Sequence, residues 1–147
     1  MHYFDTSYLV PLLVPEATSE RVAAFLRGLP PGELAISHWT RLEFSSLLGH
    51  EVRVGHLAAK TAALIDARFE DLVERSFVVL LPTAEDFALA REYLGHHRTG
   101  LRAGDALHLA IAHNHRAAAI YSFDKTLLKA GRRLGVSVST GFRLAGY

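Results

Sequence analysis

The chain alternates short apolar runs with stretches in which apolar residues recur every three or four positions, the periods of a buried strand and of an amphipathic helix. Met1–Phe4 predicts a first strand, the apolar positions Tyr8, Leu9, Leu12 and Leu13 a helix behind it, and residues 19–27 a second helix. Leu29-Pro30-Pro31-Gly32 reads as a turn, then Leu34–Ser37 as a strand, with Trp39, Leu42, Leu47 and Leu48 forming an apolar stripe on the helix that follows. Residues 57–73 carry a long amphipathic pattern, and Phe77–Leu81 is a continuous apolar run ended by Pro82, as expected of a strand covered on both faces. Thr83 and Asp86 have the spacing of a capping box for a helix reaching about His96. Gly100 and Gly104 read as breaks, after which a helix starts at Asp105; residues 118–123 predict a strand, 125–134 a helix closed by Gly135, and 136–139 a last strand.

Strands that alternate with helices join through right-handed crossovers into a mostly parallel sheet with helices on both faces. The fold class is therefore α/β, and at 147 residues with no repeat or long linker the chain predicts one domain, 1–147. In such sheets ligands bind beyond the carboxyl ends of the strands, which is where chemistry is expected.

Composition narrows that chemistry. The absence of cysteine excludes disulfides, thiolate metal sites and cysteine nucleophiles, so a metal would sit on oxygen or imidazole. The N-terminus lacks the pattern of a signal peptide and no apolar run approaches a membrane span, which makes the cytoplasm, without membrane attachment, the expected setting. Sixteen Lys and Arg against fifteen acids give a net charge of +1, so contact with nucleic acid must rely on locally arranged charge.

Six aspartates divide by setting: Asp66, Asp71 and Asp86 lie in polar helical stretches, whereas Asp5, Asp105 and Asp124 stand at strand ends or helix starts among apolar residues. Glu43 likewise interrupts an apolar helix. Any single Asp at such a place is adequately explained as an N-cap worth about 1 kcal/mol. Acids from four distant segments that meet at one sheet edge are not. At ~5 Å and an effective dielectric of 20, each like-charge pair costs about 3 kcal/mol, which a divalent cation relieves. All-oxygen ligation suits Mg²⁺ or Mn²⁺, and such an ion suits phosphodiester hydrolysis.

Phe4-Asp5-Thr6-Ser7, Arg41-Leu42-Glu43-Phe44, the segment Leu101 to Ala110 with its Gly-Asp-Ala-Leu-His-Leu-Ala core, and Ser122-Phe123-Asp124 together resemble the PIN-domain family, in particular the VapC-type ribonuclease toxins of toxin-antitoxin pairs. The resemblance covers nearly the whole chain. It implies a PIN-like domain with a central parallel sheet, an acidic pocket for Mg²⁺ or Mn²⁺, and endonucleolytic cleavage of RNA. It assigns Asp5, Glu43, Asp105 and Asp124 as catalytic acids, with Asp5, Asp105 and Asp124 as metal ligands and Glu43 as ligand or orienter of the attacking water. Thr6, Ser7 and Ser122 become supporting hydroxyls, Ser122 standing where many relatives carry threonine. It also implies an antitoxin partner and a homodimer, for either of which residues 57–73 are a candidate surface.

Arg102 is a candidate phosphate contact, and Lys125, Lys129, Arg132 and Arg133 follow one face of a helix that begins beside Asp124, so Lys125 and Lys129 are candidate substrate contacts. The nine histidines include no His-Glu-x-x-His motif, and His108, set among apolar residues, reads as a core histidine. Two alternatives share the same features: a non-catalytic PIN-like RNA-binding or assembly module, and a nuclease acting on DNA.

Overall fold

A computed structural model describes residues 1–147. In chain order the elements are β1 (His2–Phe4), α1 (Thr6–Leu13), α2 (Ser19–Arg27), β2 (Leu34–Ser37), α3 (His38–Arg53), α4 (Ala59–Ser76), β3 (Val78–Leu80), α5 (Ala84–Gly95), α6 (Ala103–Asn114), β4 (Ile120–Tyr121), α7 (Lys125–Arg133) and β5 (Val138–Ser139). A short 3₁₀ turn, His97–Thr99, precedes α6. The strands form one sheet in the order β3-β2-β1-β4-β5, and every pairing is parallel.

Side-chain alternation along the strands feeds two cores. Tyr3 and Ile120 point to one face, where they meet Ala90, Tyr93, Leu107, Leu109, Ile111 and Leu127 of α5, α6 and α7. Phe4, Ile36 and Tyr121 point to the other, against Leu9, Val22, Phe44, Ile65 and Phe69 of α1 to α4. Helices therefore cover both faces, as the alternation of elements predicts. No helix is long and apolar enough to cross a membrane.

The first strand occupies the centre, between β2 and β4. The chain leaves β1 for α1 on one face and leaves β4 for α7 on the other, so the sheet splits its exits between β1 and β4 and opens a crevice at their carboxyl ends. Asp5, Ser122 and Asp124 lie at that crevice, each within three residues of a strand end.

Four local expectations change. The run Phe77–Leu81 contains an edge strand only three residues long, paired with β2 alone, so that Val78 is 46% and Leu81 70% exposed while Val79 and Leu80 pack, half-buried, against the two cores. The strand expected over 118–123 pairs regularly only at Ile120–Tyr121, and that over 136–139 only at Val138–Ser139. The long amphipathic helix runs over Ala59–Ser76, burying Ala62, Ile65, Phe69 and Val73 while Leu64 stays 56% exposed. Finally, Gly104 is not a break: α6 starts at Ala103, and Gly104 and Asp105 are its second and third residues. The lack of a side chain there serves packing, because a Cβ would stand 2.9 Å from Glu43 Oε1 and 3.3 Å from Trp39 Cζ2.

Candidate active site

Asp5 caps α1. Its extended backbone ends β1 and its Oδ1 accepts from the Tyr8 amide at 3.1 Å and the Ser7 hydroxyl at 2.8 Å. Oδ2 accepts from the Ser122 hydroxyl at 2.6 Å. The same serines tie in the exit of β4: the Phe123 amide donates to Ser7 Oγ and the Asp124 amide to Ser122 Oγ, both at 2.8 Å. Both hydroxyls thus lock the end of β1 to the end of β4. Burial pushes the Asp5 carboxyl up, against the opposing influence of His108 and of its own hydrogen-bond donors.

Glu43 comes from α3, whose start is fixed by a reciprocal cap between Ser37 and Thr40. Its Oε2 accepts from Thr6 Oγ1 and from His108 Nε2, the latter at 2.9 Å. His108 Nδ1 lies 2.9 Å from the Tyr3 hydroxyl, and that hydroxyl meets Ser37 Oγ at 2.8 Å. Since a carboxylate only accepts, His108 must donate through Nε2. Burial pushes the Glu43 carboxyl up, but the hydrogen bond and charge of His108, together with Thr6, outweigh it and leave Glu43 below the usual range. His108 is 1% exposed and so is a core histidine, as its apolar neighbours imply. What the sequence reading missed is that it holds Glu43, a candidate site acid, in place. The available signal was spacing: three residues after Asp105 on one helix, it shares that residue's face.

Asp105 sits in the first turn of α6, where Oδ2 accepts from the Arg102 amide at 3.3 Å. Its carboxyl is raised by burial first, then by the nearby charges of Asp124 and, further down, Glu43. Asp124 caps α7, with Oδ1 accepting from the Leu127 amide at 2.9 Å. Asp105 and Asp124 line one small cleft with Gly100, Arg102 and Thr126. Asp105 and Glu43 line a second with Trp39, Leu42, Ser46 and Arg102. Asp105 is therefore the acid that both clefts share, whereas Asp5, 4% exposed, lines neither.

The structure brings together Glu43, Asp105 and Asp124 by mutual charge and shared clefts, and connects Asp5 to Asp124 through Ser122. With the side chains as they stand, no three acids or imidazoles close around a single point. The donor chemistry nonetheless fits a hard cation. Glu43 Oε1, Asp105 Oδ1 and Asp124 Oδ2 accept no hydrogen bond within the protein, and all are carboxylate oxygens. Among the candidate substrate contacts, Arg102 is exposed at both clefts, Lys129 is exposed on α7, and Lys125 is engaged elsewhere, its Nζ 4.8 Å from the ring centre of Tyr147.

Outside the site, Asp86 forms the expected capping box with Thr83 and does more: it is fully buried, accepting from the Thr83 amide at 2.8 Å and from Asn114 Nδ2 at 2.8 Å, so that it pins α5 to α6. Its neighbours Phe87 and Ala90 give no warning of this, because burial depends on the distant Asn114.

The family model of the PIN domain matches residues 2–133. No curated protein matches the chain. Among solved structures it is similar to VapC20 of Mycobacterium tuberculosis, a sarcin-ricin loop cleaving toxin, with a TM-score of 0.69 and 23% identity over 89% of this chain and 95% of that one. It is similar to FitAcB of Neisseria gonorrhoeae, with a TM-score of 0.72 and 23% identity over 98% of this chain and 100% of that one. A toxin-antitoxin complex from Klebsiella pneumoniae matches with a TM-score of 0.68 and 18% identity over 98% and 100%. At these identities the likeness establishes the fold.

Proposed function

The chain belongs to the PIN domain family, and on that premise we propose that it is a metal-dependent endoribonuclease, the toxin of a toxin-antitoxin pair. The observation that carries this reading is the gathering of Asp105, Asp124 and Glu43 at two clefts that share Asp105, whose carboxyl is raised by burial and then by the other two acids, with one oxygen of each left without a partner. A cluster that costs free energy unneutralised fits a site made for positive charge.

Of the expected ligands, Asp105 and Asp124 would hold Mg²⁺ or Mn²⁺, joined by Glu43, while Asp5, both of whose oxygens accept hydrogen bonds within the protein, would anchor the crevice. Bound there, such an ion supplies a lowered pKa to water and positive charge facing the phosphate and its leaving oxygen. The chain's own groups do the rest. Thr6 and His108 fix Glu43 through Oε2, so that Oε1 faces the cleft as a hydrogen-bond acceptor able to orient an attacking water. Ser7 and Ser122 keep Asp5 and the Asp124 backbone in register. Arg102, at the mouth of both clefts, is placed to contact a phosphate oxygen, with Lys129 further along α7.

RNA is the substrate on this reading, a cognate antitoxin and a second copy of the chain are the partners, and the cytoplasm is the setting. The similar solved structures, a loop-cleaving toxin and a toxin-antitoxin complex, support it. The exposed Leu64 on α4 is a candidate contact for either partner.

The test is cleavage of cellular RNA by the purified protein with Mg²⁺ or Mn²⁺, its suppression by EDTA, and its loss in folded Asp5→Asn, Asp105→Asn and Asp124→Asn variants. Undiminished cutting by folded Asp105→Asn would remove the basis of the proposal. RNA binding without cleavage at saturating metal would favour the non-catalytic module instead.

A further inference from the structure

Next to the acidic crevice lies a second cleft of opposite character. It has a volume of about 570 Å³ and is lined by His96, His97, Arg98, Thr99, Arg133 and Leu134. No carboxylate lines it, and none of its Arg or His side chains takes part in an ion pair. In a chain with a net charge of only +1, two arginines without an ion-pair partner, gathered in one cleft beside two imidazoles, are a local departure from the average.

The cleft is built by the fold and not by one helix face. Arg133, at the end of α7, donates from Nη1 to the Arg98 carbonyl at 2.8 Å, so its guanidinium serves the 3₁₀ turn instead of the carboxyl end of its own helix. Thr99 Oγ1 donates to the His96 carbonyl at 2.9 Å and tightens the same turn. Gly100, in the left-handed region at φ 71°, reverses the chain directly afterwards. Residues 96–99 thus line the basic cleft while Gly100 and Arg102 line the acidic one. The continuous segment 96–102 and α7 border both.

Along α7 the acidic cleft is bordered by Thr126 and the basic cleft by Arg133. Seven residues at 1.5 Å each separate them by about 10 Å. A single phosphate cannot touch both, but successive phosphates of one strand can. Resting on the nuclease reading, the geometry points to a phosphate-binding exosite: the cleft of His96, His97, Arg98 and Arg133 holds the backbone of single-stranded RNA away from the bond being cut. Its contribution is electrostatic and independent of base identity, since guanidinium groups recognise phosphate geometry and no base-reading pattern is present. It would add affinity for long RNA and set which side of the crevice the strand follows.

The experiment measures binding without cleavage. A fluorescein-labelled, mixed-sequence single-stranded RNA is titrated with an Asp105→Asn/Asp124→Asn form of the protein, at a series of salt concentrations, alone and with Arg98→Gln plus Arg133→Gln added. Each lost contact to a single strand lowers the slope of log K against log salt by about 0.7, so the pair should lower it by about 1.4. Arg68→Gln, exposed on α4, should leave it unchanged. Arg98→Gln alone, whose backbone carbonyl is retained for Arg133, guards against a folding effect and should lower the slope by half as much. A dinucleotide, confined to the acidic cleft, should bind all forms equally. An unchanged slope in the double variant, or an equal loss on the dinucleotide, overturns the exosite. So does an acidic peptide that competes for the cleft while RNA does not. Cleavage by the unsubstituted protein, measured alongside, reports on the nuclease reading separately.

Discussion

Gly104→Ala asks whether the placement of Glu43, and not its presence alone, governs activity. The backbone gains from the change: alanine is favoured over glycine in a helix by at most about 1 kcal/mol, and less in a first turn. In a chain of this size 1 kcal/mol moves Tm by roughly 2–4 °C, so the variant should melt within a few degrees of wild type. The carboxylate has no comparable freedom. A Cβ at residue 104 stands 2.9 Å from Glu43 Oε1, and Oε2 is already held by Thr6 and, at 2.9 Å, by His108. Moving Oε1 off the new methyl turns the group against both bonds. A misplacement of about 1 Å at a reacting site costs roughly 10²-fold in rate. Cleavage of a labelled RNA, read as kcat/KM beside a thermal unfolding curve, should therefore drop about 10²-fold with little change in Tm. The decisive arm is a cycle with Glu43→Ala. Once that carboxylate is gone, Gly104→Ala should cost nothing further, because the two changes act through one group. A full additional loss in the double variant would show that the glycine acts through something else, and the reasoning would fail.

Gly131→Ala should do the reverse. A Cβ there would lie 2.2 Å from Val138 Cγ1 and 3.1 Å from Leu109 Cδ2, so overpacking should cost about 1–3 kcal/mol in urea unfolding while activity per folded molecule is kept. Asp86→Ala should cost about 3 kcal/mol, the sum of a lost cap and an unpaired Asn114 amide; a midpoint within 1 °C of wild type would contradict the buried bridge. The third concerns pH. Burial, then Asp124 and Glu43, raise the folded-state pKa of Asp105, so its contribution is complete below the unfolded carboxylate pKa and is lost as pH rises through the folded one. Asparagine does not titrate and keeps an oxygen for the Arg102 amide. Asp105→Asn should therefore gain stability relative to wild type as pH rises from the acid side to neutral; a gap that narrows over that interval would show the sign to be wrong.

What the sequence discloses and what it hides follow from the range of the interactions involved. Periodicity is local, so the alternation of strands and helices, the α/β class and the capping box of Thr83 with Asp86 are all legible. Sheet order is not, because β1 meets β4 across more than a hundred residues and β4 regularly pairs only two. Gly104 misleads for a related reason: glycine is a helix breaker by propensity, but here the Trp39 ring and Glu43, from a distant helix, occupy the space a side chain would need. Asp86 and His108 each do more than their neighbours in sequence disclose. One reads as a cap and is one, yet it is also buried because Asn114 meets it; the other looks like packing and is, yet both ring nitrogens are bonded to site-supporting groups.

The two explanations available for each aspartate at a helix start, cap or chemistry, turn out not to compete. A carboxylate has two oxygens. Asp5 gives Oδ1 to the Tyr8 amide, Asp105 gives Oδ2 to the Arg102 amide and Asp124 gives Oδ1 to the Leu127 amide. In Asp105 and Asp124 the second oxygen then stays free toward the crevice, while in Asp5 it is taken by Ser122. The cap also supplies what makes the cluster tolerable before any cation arrives: each carboxylate sits at the N-terminus of a helix, where aligned peptide dipoles place positive potential worth typically 0.3–1 kcal/mol. Three helices that begin at one sheet edge thus offset part of the repulsion they create by bringing their acids together. Burial, and after it the repulsion that is not offset, raises the carboxyl of Asp105, and on the proposed reading a divalent ion would relieve both. Capping is thus how the fold aims its acids: the one that caps with one oxygen and spends the other on Ser122 ties the strand ends together, while those with a free oxygen are, on the proposed reading, the ones left for the cation and the substrate.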